Sequence, residues 1–205
     1  MRRLLPALTL ATGAGIGLWW WWRLHPTSRP FAQRLWVDCP QPFITQRRLR
    51  AALDPQPGEH LLEVGVGSGR YAVEIAGHLG PAGAMTAVDL HADMLELTHR
   101  RVRRRRAPPV ALVRANAAAL PFPEASFDGA YMASALGQVP DPTAGLAELR
   151  RVVRPGGRVV VGDVAYDPHG LFFPGLRRRA LSAGLSGAGR WGGPAGYFAR
   201  FTVPG

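Results

Sequence analysis

The chain reads as a doubly wound α/β domain, a mostly parallel sheet with helices on both faces. Three observations carry that reading. Residues 61–66 (LLEVGV) form a short apolar run rich in branched side chains, as expected of a strand buried on both faces of a parallel sheet. Glycines stand at 65, 67 and 69, after which Tyr71, Ala72, Ile75, Ala76 and Leu79 recur at the spacing of one apolar helix face. Further apolar runs at 84–88, 110–113, 127–133 and 159–163 alternate with helical or turn segments, the pattern of repeated βα units.

Length and composition bound the rest. A chain of 205 residues with 47% hydrophobic residues suits one globular domain plus a short extension. The net charge is +11, but all 25 basic residues are arginine, so a compositional bias accounts for the charge as readily as an acidic partner does. A single cysteine, Cys39, excludes an intrachain disulfide framework. The six histidines are scattered without zinc-site spacing, and no metal site is expected.

From the N-terminus, residues 4–22 are an uncharged run of 19 residues that closes on the tryptophans at 19–22 and Arg23. That is near the roughly 20 residues needed to span a bilayer, with indoles placed as in an interfacial belt. A membrane anchor, a cleaved signal peptide and an unstructured start compete here; the bulky indoles where a cleavage site needs small residues disfavour export. Residues 25–42 are punctuated by proline and read as a linker. Residues 43–53 (FITQRRLRAAL) read as an amphipathic helix that ends at the breaker 54–58 (DPQPG). The expected division is therefore a hydrophobic segment at 1–24, a linker and helix at 25–58, and the main domain at 59–205.

The strand–glycine turn–helix unit at 61–79 suits a small polar ligand, because glycines let backbone approach it and the helix N-terminus offers free N–H groups. A dinucleotide fingerprint wants a third small residue where Arg70 stands, which argues against NAD. The turn at 80–83 leads into the run 84–88, ending at Asp89, 24 residues beyond Gly65. A carboxylate there can accept both hydroxyls of a ribose, or can cap the helix expected over 92–106. Six arginines at 100–106 read either as a phosphate-binding patch or as a solvated helix end that complements the dipole.

The pattern E-x-G-x-G-x-G at 63–69 resembles motif I of the class I S-adenosylmethionine (SAM) dependent methyltransferases. Residues 116–123 (NAAALPFP) with 126–128 (SFD), and 151–157 (RVVRPGG), are similar to segments of the methyltransferase type 11 group, which includes the ubiquinone and menaquinone C-methyltransferases. The resemblance covers residues 61–163, about half the chain. It implies a Rossmann-like sheet of seven strands, with residues 186–203 as a C-terminal antiparallel hairpin, and SAM as cofactor. The implied cofactor residues are Glu63, Gly65, Gly67, Ser68, Gly69, Asp89, Leu90, Asn116 and Ala117, with the helix at 43–53 covering the cofactor. Asn116 stands where the group carries an aspartate that meets the adenine amino group, and its side-chain oxygen can still accept that bond.

Two departures bear on catalysis. The group often carries a histidine pair after the fourth strand, whereas this chain has Gly137 and Gln138, so no general base is assigned. Acceptor-side candidates follow strands four and five: Tyr131, Ser134, Gln138, Asp163 and Tyr166. The implied partner is a small-molecule acceptor, lipid-like or quinone-like if the apolar N-terminus is a guide, with the domain in the cytoplasm or on the cytoplasmic membrane face. A nucleic-acid methyltransferase and a non-catalytic relative of the fold are the alternatives.

Overall fold

The structure, a computed structural model, describes residues 42–205; the expected segment at 1–24, nearly all of the linker and Cys39 lie outside the described residues. Seven strands form one sheet, β1 (His60–Val64), β2 (Ala84–Asp89), β3 (Val110–Arg114), β4 (Phe127–Ala133), β5 (Val153–Val164), β6 (Ser186–Gly193) and β7 (Gly196–Thr202). Their order is β3-β2-β1-β4-β5-β7-β6. β1 to β5 pair in parallel, while β7 runs antiparallel to both β5 and β6. The doubly wound sheet and the closing hairpin are thus both present.

The helices are α1 (Gln46–Leu53), α2 (Arg70–Ala76), α3 (Ala92–Arg105), α4 (Pro142–Val152) and α5 (Phe173–Ser182). Strand alternation divides the core between the two faces of the sheet. Leu62, Val64, Met132 and Val161 face a cluster with Leu146, Leu149 and Val152 of α4 and Leu176 of α5. Leu61, Ala87, Tyr131 and Val160 face the other cluster, with Leu49 and Leu53 of α1 and Tyr71 and Ile75 of α2. Asp141 caps α4, its carboxylate accepting from the N–H groups of Thr143 at 2.8 Å and Ala144 at 3.2 Å.

β1 lies between β2 and β4, so the chain reverses its direction of winding there and the loops after β1 and β4 must part. A crevice opens at this switch point, at the carboxyl ends of the strands.

One buried ion pair ties α1 to the sheet. Arg158 on β5 is 8% exposed; it donates to Glu59 Oε1 at 2.7 Å and Oε2 at 2.5 Å, and to the carbonyls of Leu53 and Asp54. Burial pushes the Glu59 carboxyl up, but the hydrogen bonds and charge of Arg158 outweigh it and hold the group below the usual range. Replacing Arg158 by methionine strands a carboxylate and two helix-end carbonyls. Chemical denaturation of Arg158→Met is expected to show a loss of about 3 kcal/mol, and a loss under about 0.5 kcal/mol would contradict this role.

Candidate active site

The crevice is a cleft of about 410 Å³, within the range of about 300–1,000 Å³ usual for small-molecule sites. Four segments line most of it: residues 63–68 from the end of β1 onward, 88–91 from the end of β2, 115–117 after β3, and 132–135 with 138–140 from the end of β4. Of the nine residues expected at the cofactor, Glu63, Gly65, Gly67, Ser68, Asp89, Leu90, Asn116 and Ala117 border this one cleft. Gly69 does not, and its place has a packing reason. It caps α2 at φ 74°, and a Cβ there would lie 2.6 Å from Thr98 Cγ2, so its bareness lets α3 press against the turn.

Gly65 carries a different constraint. It has φ 79°, and a Cβ would lie 2.4 Å from the Cβ of Ala135, so the loop after β4 crosses directly over the turn. The turn is held from below by Gly65 and Val66 N–H groups donating to Val88 O at 2.8 and 3.0 Å. From the α3 side, Thr98 Oγ1 donates to Gly67 O at 3.0 Å and Arg101 donates to Ser68 Oγ at 2.9 Å.

Asp89 joins two loops. It is 8% exposed; one oxygen accepts from Gly67 N–H at 3.0 Å and the other from His91 N–H at 2.9 Å. His91, not Asp89, is the first residue bounding α3. Each carboxylate oxygen has a second lone pair, so Asp89 can hold the loops and still accept from a vicinal diol.

After β3, Asn116 Oδ1 accepts from Ala118 N–H at 3.0 Å and keeps one lone pair for a ligand. The LPFP segment beyond it is clamped by α4. Glu148 accepts from Leu120 N–H at 2.7 Å, and Arg151 donates to the carbonyls of Leu120 and Phe122 at 3.0 and 2.7 Å.

Glu63 is buried, 1% exposed, and accepts from the Tyr131 hydroxyl at 2.9 Å. Burial pushes its carboxyl up to about 8; the Tyr131 bond opposes the shift and the Asp89 charge adds to it. Tyr131 is thereby committed to Glu63. Asp163 is committed too, accepting from Val164 and Leu171 N–H groups at 2.9 Å each. Neither Tyr131, Asp163 nor Tyr166 lines the cleft, whereas Ser134 and Gln138 do.

The site also contains residues that motif reading passed over. His91, Met94 and Tyr71 line the cleft, and His91 Nε2 is buried with no hydrogen-bond partner among the described residues. Gly137 has no room for a side chain, since a Cβ would lie 1.7 Å from His169 O. The arginine run divides: Arg100 pairs with Glu96 at 2.8 Å, Arg101 serves Ser68, and Arg103, Arg104 and Arg105 fill the last turn of α3. Among the described residues no cluster could hold a metal ion, and no helix is long and apolar enough to cross a membrane.

Residues 62–161 match the family model described as a methyltransferase domain. The chain is 34% identical over 108 residues to a demethylmenaquinone methyltransferase of Geobacillus, covering 53% of this chain and 46% of that protein. It is 36% identical over 124 residues to the O-methyltransferase resE of Aspergillus sclerotiorum, covering 60% and 46%. The chain thus spans less than half the length of these curated relatives. A SAM-dependent methyltransferase from Aquifex aeolicus superposes with a TM-score of 0.77 at 19% identity, over 86% of this chain and 100% of that one, a likeness of fold.

The buried Glu63 makes stability depend on pH. Its folded pKa is raised above the unfolded value, so between about pH 4.5 and 8 the folded state binds more protons than the unfolded one and stability falls as pH rises. Glu63→Gln cannot ionise and keeps an acceptor for Tyr131. Its stability relative to wild type is expected to rise by more than about 1 kcal/mol from pH 5 to pH 8, and parallel curves from urea titrations would contradict the assignment.

Proposed function

We propose, from the match of residues 62–161 to the methyltransferase domain model and from the cleft, that the protein is a SAM-dependent methyltransferase acting on a small, largely apolar acceptor. The observation that carries the reading is the convergence of the loops after β1, β2 and β3 on one cleft whose remaining wall is formed by residues after β4. The donor set fits the cofactor. Asp89 would take the ribose hydroxyls and Asn116 the adenine amino group, while Glu63 and the bare backbone at Gly65 and Gly67 would hold the methionine end.

When bound, SAM supplies a methyl group on a sulfonium whose positive charge is lost during transfer. This chain's task is then alignment and exclusion of water. Met132, Ala133, Ala135, Val139 and Pro140 make the acceptor end apolar. Gly137 and Gln138 provide no base, which suits a carbon or sulfur nucleophile, or an oxygen that arrives ionised. The names of the relatives, a demethylmenaquinone methyltransferase and an O-methyltransferase among them, support a small-molecule acceptor of quinone-like kind. Membrane attachment through residues 4–22, with the domain facing the cytoplasm, belongs to the same proposal. Its support is the length of the run and its tryptophans.

Two measurements test the proposal. Calorimetry is expected to show one molecule of SAM or of S-adenosylhomocysteine bound per chain, with Asp89→Asn weakening both by about tenfold to a hundredfold, the cost of hydrogen bonds to a charged acceptor. Absence of binding by either compound would leave only the fold. Deletion of residues 1–24 is expected to move the protein out of the membrane fraction, and unchanged partitioning would remove the attachment.

A further inference from the structure

We propose that Ser134 is the contact that orients the methyl acceptor, and that its hydroxyl selects an apolar molecule carrying one oxygen beside the reacting atom. The inference rests on the methyltransferase reading and deepens it.

Ser134 follows β4 directly and has φ 50°, a region that residues with a Cβ rarely adopt. Backbone strain of this kind persists only where surrounding structure enforces it, and it gathers at functional sites. Here the enforcement is visible on both sides. Ser134 N–H donates to Gly162 O on β5 at 2.8 Å, and Ser134 O accepts from Gln138 Nε2 at 2.7 Å. The residue is pinned in an unfavourable conformation by its two neighbours.

That conformation leaves Oγ buried, on a residue that lines the cleft, with no hydrogen-bond partner among the described residues. A buried hydroxyl without a partner is a standing cost that an apolar residue of similar size would avoid. A ligand oxygen would remove the cost, and the hydroxyl can rotate to donate or to accept. Met132, Ala133, Ala135, Val139 and Pro140 line the cleft after β4 with it, so Ser134 and Gln138 are the polar residues of an otherwise apolar wall, and the Gln138 amide already donates to Ser134 O.

Its position separates it from the cofactor loops. Asp89 and His91 follow β2 and Asn116 follows β3, whereas Ser134 follows β4; the close approach of Ala135 to Gly65 puts it at the border of the glycine turn. Among the acceptor-side candidates, Tyr131 is bound to Glu63, the Asp163 oxygens accept from Val164 and Leu171, and the Gln138 amide donates to Ser134 itself.

The test uses the full chain saturated with S-adenosylhomocysteine, and 1-naphthol and naphthalene as probes in equilibrium dialysis. Wild type is expected to bind 1-naphthol about threefold to tenfold more tightly than naphthalene, the contribution of one hydrogen bond. Ser134→Ala and Ser134→Gly are expected to lose that preference while their affinity for S-adenosylhomocysteine stays within about twofold. The glycine variant accepts φ 50° without strain, so it separates loss of the hydroxyl from loss of the fold. Preference retained in both variants, equal binding of the two probes by wild type, or a fall in S-adenosylhomocysteine affinity in the variants would each overturn the role of Ser134. Failure of wild type to bind S-adenosylhomocysteine would instead overturn the methyltransferase reading, and the acceptor contact with it.

Discussion

The site depends on a single carboxylate. Asp89 closes β2 and accepts one N–H from the glycine turn after β1 and one from the residue preceding α3, so two loops from adjacent strands share one anion. The glycine turn needs positive φ at Gly65, Gly67 and Gly69 and so departs from both strand and helix, which leaves Gly67 N–H to a partner from the next strand. The parallel sheet brings the two loops side by side, and the carboxylate fixes their separation. The cleft is the space that remains.

Around this bridge the chain uses one device repeatedly, a side chain that holds a loop in place by hydrogen bonds. Thr98 and Arg101 do so for the glycine turn, Glu148 and Arg151 for the segment after Asn116, and Gln138 for the residue after β4. Each loop is therefore positioned before any ligand arrives, which is the condition for catalysis by alignment. Glu63 extends the same economy inward: a carboxyl whose ionisation is resisted by burial can become an anion when a cation is brought beside it.

Much of the fold was legible in the sequence because periodicity and turn chemistry report on it directly. The apolar runs and the glycine turn stand where local pattern put them, and the closing hairpin stands where the resemblance implied it. Eight of the nine residues expected at the cofactor share one cleft for the same reason, since the ends of parallel strands are positions that a strand pattern locates. What was not legible depends on contacts between distant residues. Gly69 reads as part of a ligand loop but answers to Thr98, 29 positions on, and Gly137 answers to the carbonyl of His169. Ser134 was legible as a residue following strand four, but its strain, its unpartnered hydroxyl and the unpartnered His91 nitrogen have no sequence signature. A hydroxyl left without a partner is visible only when every neighbour is in place.

The central claim is that the loops after β1, β2 and β3 bind one adenosyl sulfonium. The most direct measurement is a crystal structure of the protein grown with S-adenosylhomocysteine. The account predicts the ribose on Asp89, the adenine against Asn116 and Leu90, and the sulfur beside the glycine turn at Gly65 and Gly67. A ligand bound elsewhere, or a cleft that stays closed to it at saturating concentration, would contradict it.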